Sequence, residues 1–367
     1  MSDTTLFTPV TAGALRLPSR IVMAPMTRLR AETDGTPTPE MTEYYRQRAD
    51  AGLIVTEGIW PSSDGQSEWR VPGLQTERHA AGWRSVTNAV HAAGGRIVAQ
   101  LMHGGRKGHP DARADGSLPA GASPVADPEH VHLPDGTTAP SPVPAELSTG
   151  DIDRVVRDHA AAARRAIDAG FDGVELHGAN SYLTHQFLAD GTNLRRDGYG
   201  GSTVGRMRLA VELVEALVEA VGAHRVGVRL SPGNPQFGMV ERDPAPLYRA
   251  LLGELDRHGL AYLHLTDDDR YPALADLRPR WRGTLVANVG ENREATTRAS
   301  AKRVLAAGHA DAVSFGRGFL RNPDLVDRLR HDLPWNPLDE ARLYTPGPGG
   351  YTDYPRHGGA SAGSPAG

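Results

Sequence analysis

The chain has no cysteine among its 367 residues, which excludes disulfide frameworks, thiolate zinc sites, iron–sulfur clusters and cysteine nucleophiles together. It has no apolar run near the roughly 18 residues that mark a membrane-spanning helix. The opening MSDTTLFTPV lacks the basic-then-apolar pattern of a secretion signal, so a cytoplasmic location is the expectation. Charge of one sign is not gathered anywhere: 40 basic and 44 acidic residues are interspersed, for a formal net charge of -4. That removes the electrostatic footprint expected of a nucleic-acid or anionic-membrane binder and leaves a small molecule as the expected partner.

What is present is a rhythm. Short β-branched runs end in Gly or polar residues, and most are followed by a longer stretch with helical spacing of apolar residues. Such runs lie at Arg20 to Ala24, Leu53 to Glu57, Arg96 to Leu101, Gly173 to His177, Arg225 to Leu230, Ala261 to Thr266, Thr284 to Ala287 and Ala312 to Phe315. Between them the spacing predicts helices over Asp151 to Ala169, with Ile152, Val155, Val156, Ala163 and Ile167 on one face, and over Arg206 to Val221, with Leu209, Leu213, Leu217 and Val221 on another. Gly170 and Gly222 stand where C-terminal caps belong. Alternating strands and helices imply a parallel sheet, and eight of each imply an α/β fold closed into a (β/α)8 TIM barrel. An open doubly wound sheet is the alternative, but no G-x-G-x-x-G follows a strand to make its dinucleotide crevice.

The expected organisation is one barrel domain over residues 1–356, interrupted after the third strand by a capping excursion over 105–146. That stretch is rich in Pro, Gly, Asp and His and carries the turn signal Asp135-Gly136. The aperiodic tail 357–367 is expected to be disordered. Its Gly359-Ala360-Ser361-Ala362-Gly363 matches the serine-hydrolase pattern G-x-S-x-G, but with neither strand before it nor helix after it the match is accidental.

In such a barrel the catalytic groups gather where the strands end and the βα loops begin. Thr27 follows the first strand, Gly58 the second, Gln100 lies near the end of the third, His177 closes the fourth, Arg229 is near the end of the fifth and Gly316-Arg317 follow the eighth. Each alone has a structural explanation; their joint placement on one rim is the signal. Gly316-Arg317 suits a phosphate, since Gly admits close backbone approach and Arg adds a bidentate cation. His177 and Asn180 can both donate to one carbonyl oxygen, and Tyr182, five residues beyond His177, can deliver a proton. A metal site is not expected, because no third ligand lies at a suitable spacing.

These residues resemble the Old Yellow Enzyme family of flavoprotein ene-reductases from Leu6 to about Arg356. The likeness is carried by APMTR (24–28), QLMHGGR (100–106), GFDGVELHGANSYLTHQFL (170–188), RRDGYGGS (195–202), VGVRLSP (226–232), LAYLHL (260–265), ADAVSFGR (310–317), RNPDL (321–325) and GYTDYP (350–355), in order and at matching spacing. The resemblance implies noncovalent FMN, NADPH as hydride donor with NADH also open, an enone or quinone as acceptor, and a monomer or homodimer. It places FMN against Ala24, Pro25, Met26, Thr27, Gly58, Gln100, Arg229, Gly290, Gly316 and Arg317, with Thr27 on a flavin carbonyl and Gly316-Arg317 on the phosphate. The acceptor would meet Thr27, Met102, His177, Asn180, Tyr182 and Tyr351, with His177 and Asn180 holding its carbonyl oxygen and Tyr182 giving the proton.

Three positions depart from the family's pattern. Met102 stands where Trp is usual, Gly318 replaces a common Pro, and Asn288-Val289-Gly290-Glu291-Asn292 replaces a Gly-rich turn, which leaves Gly290's role open. The absence of cysteine separates the chain from iron–sulfur dienoyl reductases and tRNA dihydrouridine synthases. An alternative within the same family is a flavin-dependent isomerase, cyclase or desaturase.

Overall fold

The computed structural model describes residues 5–267, 270–290 and 295–358. The short apolar runs form the closed parallel barrel that their number implies. Its strands are β1 (Ile21–Met23), β2 (Leu53–Ile59), β3 (Ile97–Leu101), β4 (Gly173–Gly178), β5 (Val226–Leu230), β6 (Tyr262–Asp267), β7 (Thr284–Val289) and β8 (Ala312–Phe315). Strands neighbouring in sequence pair with each other, and β8 closes onto β1 through Val313↔Ile21 and Phe315↔Met23. Burial on both faces explains why the runs are nearly continuous in apolar residues rather than alternating. β2 extends past its expected end because the register with β3 shifts between Val55 and Gly58, a bulge that sets Gly58 opposite Gln100.

The two long helices begin earlier than the apolar spacing alone suggests, at Thr149 and Thr203. Ser148 and Ser202 supply the reason: each side chain accepts from a first-turn backbone N–H, and Ser148 and Asp151 form a reciprocal capping box. In the first of these helices the buried face is Ile152, Val155, His159, Ala162, Ala163 and Ala166, while Val156 and Ile167 are only half-buried. The C-terminal half of that face is made of alanines, which let the helix approach closely there.

Two features outside the strand–helix alternation shape the ends of the barrel. A hairpin, Val10–Ala12 with Leu15–Leu17, covers the N-terminal end, where Ala12, Leu15 and Leu17 pack on Val22, Leu53, Val98 and Val286. At the other end the 105–146 excursion forms a hairpin, His130–His132 with Thr138–Pro140, turned at Asp135-Gly136 with Gly136 at φ 84. The residues 359–367, including the Gly359-to-Gly363 match and most of the expected tail, lie outside the described residues.

The chain after Glu340 returns across the barrel as a strap. Arg28 donates to the carbonyls of Leu343 (3.3 Å) and Gly350 (2.8 Å), and Arg30 to those of Arg342 (3.0 Å) and Gly347 (3.2 Å). Tyr351 is sealed between these arginines and Tyr44, on whose ring it stacks at 4.1 Å. The strap is therefore held by buried guanidinium–carbonyl bonds, which satisfy charge and carbonyl together.

Candidate active site

A cavity of about 1030 Å³ opens at the C-terminal ends of the barrel strands. Its inner wall is built by strand residues. Gln100 on β3, His177 on β4 and Arg229 on β5 are 2%, 4% and 6% exposed and point into one space. His177 and Arg229 are register partners on adjoining strands, which sets their side chains side by side. Burial and the charge of Arg229, with His185 and His264 beyond it, push the His177 pKa far down, so its imidazole is neutral at physiological pH.

The segment leaving β4 is strained. Asn180 and Ser181 both take left-handed backbone conformations, at φ 53 and φ 68, an uncommon choice for residues with a side chain and one that costs energy. Compensation is visible on every side. The Asn180 N–H donates to Ser231 Oγ (2.9 Å), the Ser181 hydroxyl donates to Asp127 Oδ2 (3.1 Å), and Gln186 Nε2 donates to the Ser181 carbonyl (2.6 Å). The result turns Asn180 and Tyr182 into the cavity beside His177, with the Tyr182 and His177 rings 4.8 Å apart. Burial first, with the nearby Glu68 carboxylate, pushes the Tyr182 pKa up.

The remaining wall comes from loops. Ala24, Pro25, Met26 and Thr27 follow β1, and Gly58 lies on the β2 bulge. A Cβ at Gly58 would collide with the Met102 thioether, so this glycine is required by close approach. Met102 is 1% exposed and clusters with Leu29, Trp60 and Val71, with Trp69 and Tyr182 packed against it. At the far side Gly290, Gly316, Arg317 and Asn288 line the cavity. Asn288 is fixed by donating to the Ser314 carbonyl (3.2 Å) while its Oδ1 accepts from Arg229 Nη2 (3.4 Å). Glu291 and Asn292 lie outside the described residues.

One expected substrate contact is corrected. Tyr351 is fully buried in the strap's aromatic–guanidinium stack and does not reach the cavity. The tyrosine that the strap brings to the wall is Tyr344, beside Leu343. Other wall residues escaped sequence reasoning: Lys107, Glu68, His132 and Phe237. They lie on connections, where no periodicity reports direction. Glu175 and His264, behind the inner wall, did carry a signal, since each is a polar residue flanked by apolar ones in mid-strand; Glu175 also shares His177's face by the two-residue repeat.

The arrangement fits a planar polar ligand with a phosphate. Among the described residues His177 Nδ1 and Arg229 Nε are buried without a partner, a state that costs about 1–3 kcal/mol per group unless a ligand completes it. The Gly316 Cα is open to close approach: among the described residues nothing lies nearer to a Cβ there than Met26 Sδ at 3.5 Å.

The comparisons agree with this geometry. Residues 5–336 match the NADH:flavin oxidoreductase / NADH oxidase family. The chain is 39% identical over 355 residues to a putative 12-oxophytodienoate reductase 5 of Oryza sativa subsp. japonica, covering 94% of this chain and 92% of that protein. It is also 39% identical over 355 residues to a probable flavin mononucleotide-dependent alkene reductase of Leishmania infantum, covering 95% and 96%. The Old Yellow Enzyme homologue from Zymomonas mobilis superposes with a TM-score of 0.92 at 37% identity, over 96% of this chain and 99% of that one. With the fold, the rim and the match across nearly its whole length in agreement, the chain belongs to the Old Yellow Enzyme family of flavin-dependent oxidoreductases.

Proposed function

We propose that the protein is an FMN-dependent ene-reductase that uses NAD(P)H to reduce the carbon–carbon double bond of α,β-unsaturated carbonyl compounds, with quinones as further acceptors. The observation that carries this reading is the neutral His177 beside Asn180 and Tyr182, facing the same cavity as Gln100 and Arg229. A polar wall for the cofactor and a donor pair for a carbonyl oxygen meet there.

When bound, FMN supplies the two-electron chemistry, relaying a hydride from reduced nicotinamide to the alkene's β-carbon. Gln100 and Arg229 would hold its polar ring edge, Thr27 a ring carbonyl, and Gly316 with Arg317 its phosphate. Arg229 keeps a positive charge at the inner wall, where negative charge develops during reduction. His177 and Asn180 donate to the acceptor's carbonyl oxygen, which draws electron density from the β-carbon and orients it. The neutral imidazole does so without burying a second full charge beside Arg229. Tyr182, protonated throughout the physiological range, holds a proton at Oη for the α-carbon.

The test is a purified-protein spectrum with identification of the heat-released cofactor, then anaerobic reduction by NADPH or NADH and reoxidation by a cyclic enone. FMN, bleaching by the nicotinamide and formation of the saturated ketone are expected. FAD, or a flavin that nicotinamide cannot bleach, would sink the proposal.

A further inference from the structure

Behind the inner wall, one layer deeper in the barrel, lies a carboxylate with no contact to the cavity. Glu175 on β4 is 0% exposed and precedes His177 by one strand repeat, so both side chains point into the barrel. It pairs in register with Gln100. Gln100 Nε2 donates to Glu175 Oε1 at 2.7 Å, and Glu175 Oε2 meets His264 Nδ1 at 3.0 Å. His264 Nε2 in turn meets the Ser314 hydroxyl at 2.9 Å. The chain Gln100–Glu175–His264–Ser314 thus crosses the barrel from β3 to β8.

Two consequences follow for the wall above. A glutamine amide has a donor end and an acceptor end. With one Nε2–H given to Glu175, Gln100 keeps its carbonyl oxygen and a second amide N–H for other partners, and the bond holds the amide in one orientation. The second consequence concerns charge. Burial works against an ionised Glu175, but His264, Arg229 and Gln100 together hold its pKa below the usual carboxylate value. Burial pushes the His264 pKa down against the pull of Glu175, with which its Nδ1 shares the 3.0 Å contact. Glu175 is therefore the negative charge that answers Arg229 in this layer, and Arg229 is correspondingly less able to stabilise negative charge above it.

We propose that Glu175 is a positioning residue for the cofactor: it fixes the orientation of Gln100 and offsets the charge of Arg229, and so holds the reduction potential of bound FMN down. The proposal rests on the FMN reading, which the wild-type cofactor assay decides separately. Glu175→Gln removes the charge while keeping the shape. Its FMN, once bound, should favour the reduced form over the oxidised form by about tenfold more than in wild type, which for a two-electron couple is a rise of about 30 mV by equilibration with a reference dye. An unchanged potential in a folded, FMN-loaded variant overturns the charge role. Should that variant fail to fold, Glu175→Asp keeps the charge and shortens the reach to Gln100. Apoprotein affinity for FMN should then fall at least roughly threefold, the loss of a fraction of one hydrogen bond, with the potential unchanged. Full FMN affinity in Glu175→Asp overturns the orienting role. A wild-type protein without FMN would instead remove the underlying functional reading.

Discussion

The inner and outer walls of the cavity are made differently. Gln100, His177 and Arg229 stand on strands, nearly sealed from solvent, and a second layer of buried hydrogen bonds backs them. Across from them stand Glu68, Lys107 and His132 of the 105–146 excursion, Phe237 and Tyr344, all on connections rather than barrel strands. Lys107 is pinned by Asp127 at 3.2 Å and lies over the Phe237 ring at 4.0 Å, while His132 reaches Glu68 at 3.6 Å and the Tyr344 ring at 5.1 Å. Side chains on strands inherit their aim from register, so the inner wall can hold a cofactor in one geometry. The outer wall depends on contacts between loops, which suits the choice of substrate more than the positioning of charge.

The sharpest test of that division is Tyr182, which belongs to the inner site by its ring contact with His177. Tyr182→Phe should leave flavin reduction by NAD(P)H nearly intact, because that half-reaction takes no proton from this side. Reoxidation by a cyclic enone should slow by roughly 10²–10⁴, the worth of a positioned general acid, whereas quinone reduction should survive. Stopped-flow traces of the two half-reactions separate these outcomes, and wild-type reoxidation by the enone would assign the proton to water or another group.

Next in size is Arg317→Ala at the phosphate end. A charge-assisted phosphate contact is worth about 1.5–3 kcal/mol, so FMN should dissociate roughly 10- to 100-fold more readily on dilution or dialysis. Full retention of FMN would move phosphate recognition to the backbone amides around Gly290 and Gly316.

The same division decides what could be read from the sequence. The eight strands were legible because apolar runs bounded by Gly recur, and the rim residues on them followed once strand ends were known. Helix starts were misplaced by a few residues because Ser148 and Ser202, not the first apolar residue, begin the turn. Tyr351 was misplaced for a different reason: a tyrosine near the strap's end says nothing of whether its ring faces the cavity or the arginines beneath it. Here Arg28 and Arg30 sit against that ring at 5.0 and 4.8 Å and fix it inward. The approach of Lys107 to Phe237 joins connections after different strands, and no local pattern encodes such a meeting.

A smaller effect is expected where the two walls touch, at Met102. Its thioether lies over Gly58 and beside Tyr182, so Met102→Trp replaces a flexible chain with a rigid indole at the cavity's edge. FMN content should stay at the wild-type level while relative rates over a varied enone panel, or the enantiomer formed from a substituted enone, change. An identical panel and identical enantiomers would show that the space at Met102 does not reach the substrate.

The smallest expected effect sets two histidines against each other. His177, buried on the inner wall, has its pKa driven down by burial first and Arg229 next. The folded protein therefore binds fewer protons there than the unfolded chain does, and this residue subtracts stability as pH falls below about 6.5. Through that range it stays neutral, so kcat/KM for an enone should show no acid limb near pH 6.5 that His177→Asn abolishes. His132, half-exposed on the excursion hairpin, has its pKa raised, chiefly by the Glu68 carboxylate 3.6 Å away. The sign is opposite: its contribution is fully present below about pH 6.5 and is lost as pH rises through the raised value. Amide exchange over residues 130–140, corrected for intrinsic rates, should accelerate modestly as pH rises through neutrality, and Glu68→Gln should flatten that dependence. Exposure of 39% at His132 and 25% at Glu68 keeps the pair weak, so KM for the enone should move by less than about threefold. A larger change in KM that persists in Glu68→Gln would place the titrating group on the inner wall and erase the contrast between the two.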